Sequence, residues 1–170
     1  MLSAGYEGEK ATPEMPHGVY RIDGQSGKIT RVLEAIMPNG LAFSPDEKTL
    51  YIIARIPPKR LLFAYDVTSD GQLRNQSTVV DAGTIGALDG FRVDTDGNIW
   101  AGWGSSGFPE AKAEELDGVM VFNPQGKAIG HIRLPERCAN LCFGGRHRNR
   151  LFMTSSHSLY SLYVEAHGAV

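Results

Sequence analysis

The chain repeats itself at a spacing near fifty residues, and that period limits what it can fold into. Asn39-Gly-Leu-Ala-Phe43, Asp89-Gly-Phe-Arg-Val93 and Asn140-Leu-Cys-Phe143 open three successive units, their starts 50 and 51 residues apart. Each segment begins with a small polar residue and passes into apolar alternation, the period-2 mark of a strand. A turn rich in Asp, Asn, Gly and Pro follows in each: Ser44-Pro-Asp-Glu-Lys48, Asp94-Thr-Asp-Gly-Asn98 and Gly144-Gly-Arg-His-Arg-Asn149. These residues tolerate or pre-set turn dihedrals. A second strand comes next, at 49–53, 98–101 and 150–153. A third lies beyond it, at 60–65, 118–122 and 158–163. The first two units add a fourth, at 76–80 and 128–134, after Asp70-Gly71 and Gln125-Gly126.

Four antiparallel strands per repeat of about fifty residues is the pattern of β-propeller blades. The expected class is therefore all-β, a partial propeller. No long helical pattern competes; the stretch 109–115 reads as one turn within a loop. Residues 18–33 look like the outer two strands of a blade whose inner strands precede Met1, and the last unit ends after three strands. The count is about three to three and a half blades in a single domain. Its parts are a rim or lid loop at 1–17, an outer half-blade at 18–35, blades at 39–80 and 89–134, and an incomplete blade at 140–164. Open sheet edges expose unpaired backbone groups. The simplest account is a missing N-terminal portion that closes the ring, with pairing between two copies as the runner-up.

Composition narrows the function. With 42% hydrophobic and 21% charged residues and a formal charge of −2, the chain lacks the basic stripe of a nucleic-acid binder. The densest basic run, Arg146-His-Arg-Asn-Arg150, reads as a solvated turn. No apolar run reaches the roughly 18 residues of a membrane helix, so neither nucleic acid nor membrane is an expected partner. Cys138 and Cys142 suit neither a disulfide framework nor a paired metal site. Free thiols point to a reducing, cytoplasmic location, with a periplasmic one left open by the expected missing N-terminus.

First strands of propeller blades line the central channel, so Asn39, Asp89 and Asn140 are placed to converge there. Carboxylate and amide oxygens are hard donors suited to Ca²⁺, Mg²⁺ or Mn²⁺. Asn-Gly and Asp-Gly are also ordinary turn dipeptides, so the pattern leaves two readings, metal ligands or strand-entry turns. Gly102-Trp-Gly-Ser-Ser-Gly107 matches G-x-G-x-x-G, but Phe108-Pro109 follows and no crossover helix closes a dinucleotide-binding unit. Asp94-Thr-Asp96-Gly97 echoes a calcium loop without its remaining ligands and reads as a hairpin turn. The five histidines show no metal spacing, and no G-x-S-x-G elbow is present.

Met37-Pro-Asn-Gly-Leu-Ala-Phe-Ser-Pro-Asp-Glu-Lys-Thr-Leu-Tyr51 and Leu88-Asp-Gly-Phe-Arg-Val-Asp-Thr-Asp-Gly-Asn-Ile-Trp-Ala101 resemble two successive blocks of the gluconolactonase, senescence marker protein (regucalcin) and luciferin-regenerating family. Gly118-Val-Met-Val-Phe-Asn-Pro-Gln-Gly-Lys127 and Cys138-Ala-Asn-Leu-Cys-Phe-Gly-Gly145 resemble the two after those, and the likeness is strongest to the bacterial gluconolactonase branch. The resemblance implies a six-bladed propeller with one divalent cation in the channel, Ca²⁺ first, with Mg²⁺, Mn²⁺ or Zn²⁺ as alternatives. It places Asn39 and Asp89 at two of the family's three metal positions. The third, a glutamate, is expected before Met1. Residues 1–17 resemble a loop over the channel mouth in which Glu14 matches a sugar-contacting glutamate, and Asn140 is a second substrate-binding candidate. Ala54-Arg55 departs from the Ala-Asp-Thr common in relatives.

The implied reaction is metal-dependent hydrolysis of a sugar lactone, aldonolactone to aldonic acid, with Asp89 as metal ligand and general base. With the glutamate missing, the chain alone is expected to bind metal weakly or to be inactive. The alternative is a non-catalytic propeller module for binding or scaffolding, because propellers host many functions.

Overall fold

A computed structural model describes residues 14–34 and 37–169. Most of the expected rim loop, residues 1–13, lies outside the described residues. Among the described residues thirteen strands and one helical turn follow in order: β1 (Gly18–Ile22), β2 (Ile29–Glu34), β3 (Pro38–Phe43), β4 (Thr49–Ile56), β5 (Lys59–Val67), β6 (Leu73–Asp81), β7 (Gly86–Val93), β8 (Ile99–Ser105), α1 (Ala113–Leu116), β9 (Gly118–Phe122), β10 (Ala128–Arg133), β11 (Cys138–Gly144), β12 (Arg150–Ser155) and β13 (Leu159–Tyr163). They form four sheets, β1-β2, β3-β4-β5-β6, β7-β8-β9-β10 and β11-β12-β13. Every strand pairing is antiparallel.

The sheets stack face against face, as successive propeller blades do. β4 is buried through Leu50–Ala54 without alternation, because both of its faces meet a neighbouring sheet. Tyr51, Ile53, Leu62 and Val80 on one face pack against Leu88, Phe91, Val93 and Ile99 of the next sheet. On the other face Leu50, Ile52, Phe63 and Tyr65 meet Val19, Val32 and Leu33 of the β1-β2 hairpin. Val119, Leu141, Leu151 and Met153 join the third sheet to the fourth. The molecule is a partial β-propeller.

The turns use a recurring device. Thr68, Asp94 and Asn123 each present a side-chain oxygen to the backbone N–H four residues on, at 3.0, 2.8 and 2.9 Å. A glycine at positive φ stands one residue earlier in each, as Gly97 does at +83°, a conformation that is cheap only without a Cβ. Asp94 is only 1% exposed. Its carboxylate accepts from the backbone of Asp96 and Asn98, from Asn98 Nδ2 and from Trp100 Nε1, at 2.8–3.0 Å. The calcium-like motif is thus a closed hairpin turn.

Two features go beyond what the sequence specifies. The chain does not leave the sheets after β13: Thr95 N–H donates to His167 O and Ala169 N–H to Val93 O, at 2.8 and 3.0 Å. The tail so clips the last sheet to the end of β7, with Gly168 bridging Asp94. Also, Asn39-Gly40 and Asp89-Gly90 are not turns. They lie within β3 and β7, at register shifts between Pro38 and Leu41 and between Leu88 and Phe91.

Candidate functional site

Those two bulges build the site. A bulge adds one residue to a strand, bends it and re-aims a side chain. In β3 and β7 it carries Asn39 and Asp89 to the axis, where the innermost strands β3, β7 and β11 lie side by side. The glycine after each polar residue permits the approach. A Cβ on Gly40 would stand 3.0 Å from Asp89 O, and one on Gly90 would stand 2.4 Å from the Asn140 carboxamide. The dipeptide spacing therefore reports close strand packing.

Asn39 and Asp89 meet across the two sheets. Asn39 Nδ2 donates to Asp89 Oδ1 at 3.0 Å, and both residues line an open cleft of about 510 Å³ along the inner strands. Asn140 lines the same cleft but stands one residue out of phase. With Leu41, Phe91 and Leu141 aligned by their ladder partners, Ala139 holds the position of Asn39 and Asp89, and Asn140 that of the glycines. Its Oδ1 accepts from the backbone N–H of Leu141 at 2.9 Å. Glu14 is exposed before β1 and is not among the residues that line the cleft.

Sequence reasoning missed two residues. Arg137, just before β11, brings Nη2 to 3.5 Å from Asp89 Oδ2, and Arg60, in β5, brings Nη1 to 4.0 Å from the same oxygen. Arg60 Nη1 also donates to Leu88 O at 2.7 Å. Neither arginine shares the repeat phase of Asn39 and Asp89, so periodicity gave no signal for them. Cys138 is buried and burial pushes its thiol up to about 11, which marks it as a packing residue. Both cysteines are free.

Among the described residues no cluster of three or more His, Cys, Asp or Glu side chains is placed to hold a metal. Asn39 and Asp89 fit as two ligands of a hard cation. Asp89 presents carboxylate oxygen; Asn39 presents its amide N–H to it, and rotation of that amide would turn its oxygen to the same side.

Antiparallel sheets stacked around a cleft that carries a polar pair define a partial β-propeller, and the sequence of the chain places it in a family. The chain belongs to the family described as the SMP-30/Gluconolactonase/LRE-like region, whose model matches residues 3–157. It is 30% identical over 163 residues to the gluconolactonase of Zymomonas mobilis subsp. mobilis, covering 89% of this chain and 42% of that protein. Identity to the regucalcin of Danio rerio is 28% over 142 residues, covering 82% and 44%. The solved gluconolactonase of Xanthomonas campestris superposes with a TM-score of 0.74 at 33% identity, covering 90% of this chain and 46% of that one. The chain thus spans less than half the length of each of these relatives.

Proposed function

We propose that this chain forms the part of a sugar-lactone hydrolase that holds a divalent cation with Asn39 and Asp89, and that the reaction converts an aldonolactone to the aldonic acid. The observation that carries this reading is the 3.0 Å Asn39–Asp89 contact within the axial cleft. The names of the relatives, gluconolactonase above all, support the reaction class. Ca²⁺ is the first ion to try, because carboxylate and amide oxygens suit it and water completes its shell readily.

A bound cation would supply polarisation of the ring ester carbonyl. Asp89 would hold the cation through one carboxylate oxygen and accept the proton of the attacking water on the other. The water oxygen bonds to the carbonyl carbon, the ring C–O bond breaks, and the proton passes to the departing ring oxygen. Asn39, its amide turned so that the oxygen meets the cation, would add a ligand without adding charge. Asn140, on the same cleft, offers its amide to a sugar hydroxyl; Glu14 would have to reach inward from the rim.

The test is lactone hydrolysis by the full chain, followed by acid release with D-glucono-1,5-lactone and Ca²⁺, Mg²⁺, Mn²⁺ or Zn²⁺. Cation-dependent turnover above the spontaneous rate, small because two protein ligands hold the cation weakly, and abolished by chelator and by Asp89→Ala, is expected. Turnover that is indifferent to both would exclude the reading.

A further inference from the structure

Beyond Asp89 along β7, Arg92 lines the same cleft. It is exposed there, and its hydrogen bond among the described residues runs from Nη1 to the neighbouring Phe91 O at 2.7 Å. Among the described residues no carboxylate pairs with it. We propose that Arg92 is a specificity-determining residue for an anionic sugar lactone, one whose negative group sits on the carbon farthest from the ester carbonyl. This names a substrate class for the proposed lactone site and rests on that reading for the reaction itself.

The route from Asp89 to Arg92 follows the side of β7 that faces β11. Gly90 and Arg92 are two apart in the strand and share that side. A Cβ on Gly90 would lie 2.4 Å from the Asn140 carboxamide, and Trp100, the ladder partner of Arg92, stacks edge-on against Phe143 of β11 with ring centroids 5.5 Å apart. Asn140 therefore stands level with Gly90, between Asp89 and Arg92. Its Oδ1 accepts from the Leu141 N–H at 2.9 Å, which leaves Nδ2 as a donor without an acceptor among the described residues. A carboxylate, an amide donor and a guanidinium thus follow one another along the cleft. Three residues of strand span roughly 10 Å, shortened here by the bulge and by the turn of the Arg92 head towards Phe91 O. A six-carbon sugar acid fits that span, with its C1 carbonyl beside Asp89, a hydroxyl at Asn140 and its terminal carbon at Arg92.

Charge makes this end selective. An arginine already paired with a carboxylate offers little to a second anion, whereas Arg92 is held by a backbone carbonyl and keeps its charge and remaining N–H groups for a ligand. Glu47, in the turn after β3, also lines the cleft but forms no ion pair with Arg92. A guanidinium offers a planar fork of donors that matches phosphate or carboxylate. A neutral hydroxyl at the same place only exchanges one ordinary hydrogen bond with water for another, at small net gain.

The test is calorimetric titration of 6-phospho-D-gluconate and D-gluconate into the full chain, with chelator present so that no cation takes part. The two acids differ only at the terminal carbon. The wild type is expected to prefer the phosphorylated acid by on the order of tenfold, the advantage of a charge-assisted hydrogen bond over a neutral one. Arg92→Gln should abolish that preference, and Arg92→Lys, which keeps the charge without the fork, should retain most of it. Asn140→Ala should weaken both acids alike, because its amide meets a hydroxyl they share. Equal binding of the two acids by the wild type, a preference that survives Arg92→Gln, or no binding of either acid overturns the proposal. Lactone turnover indifferent to chelator would overturn the cation-dependent lactonase reading instead, and leaves this preference as it stands.

Discussion

Gly90 sits directly beneath Asn140: a Cβ built on Gly90 would lie 2.4 Å from the Asn140 Cγ and Oδ1 and 3.0 Å from Ala139 O. This contact sets the spacing of β7 and β11, and through it the width of the cleft. Gly90→Ala is expected to destabilise the chain by about 1–3 kcal/mol, the usual range for overpacking. Asn140→Ala in the same chain should recover part of that, because the side-chain clash goes while the Ala139 carbonyl remains close. Urea denaturation of the single and double variants reads both effects.

Asp94 makes a different kind of contribution. Its buried carboxylate accepts four hydrogen bonds, so Asp94→Ala strands several donors at once. The expected cost is about 2–4 kcal/mol, seen as a lower melting temperature. Loss of the Trp100 Nε1 bond should also shift the emission of that indole. An unchanged melt would show that the turn holds without its carboxylate.

The repeat period made the blades and their order legible, because strand alternation and turn chemistry are local properties. The β6 strand runs longer than expected, Leu73–Asp81, since its polar residues pair along an outer edge where burial writes no pattern. Phase puts Asn39 and Asp89 on the innermost strands, and the family resemblance points to the same pair. Their glycines looked like turn formers because sequence does not show that β3 and β7 pack backbone to backbone. Asn140 fell one residue out of phase for a related reason: the bulge in β11 is at Ala139, and a one-residue shift is invisible in a spacing of fifty. Arg60 and Arg137 reach Asp89 from separate blades, and the tail at His167–Ala169 returns to β7 over a long separation. Both relationships exist only in three dimensions.

Glu136 gives the fold a defined acid response. The Ser158 hydroxyl, with Tyr160 and the backbone and ring of His157 adding to it, lowers the Glu136 carboxyl from 4.5 to about 2. It joins the loop before β11 to the β12–β13 turn. A carboxyl whose folded value lies below its unfolded one stabilises the fold above the unfolded value and loses that contribution as pH falls towards the folded one. Stability should therefore drop between about 4.5 and about 2 on this account. Glu136→Gln should flatten that part of the profile in acid denaturation monitored by circular dichroism; an unaltered profile would assign the acid response to other groups.

The measurement that bears most directly on the account is calorimetric titration of Ca²⁺ and Mn²⁺ into the full chain and into Asn39→Ala and Asp89→Ala. One weak but saturable site is expected in the wild type, weakened further when the neutral ligand Asn39 goes and lost when the charged ligand Asp89 goes. All three proteins should keep the same circular dichroism spectrum. Cation affinity that is unchanged in a folded Asp89→Ala protein would contradict the claim that this pair is the metal-holding centre of the chain.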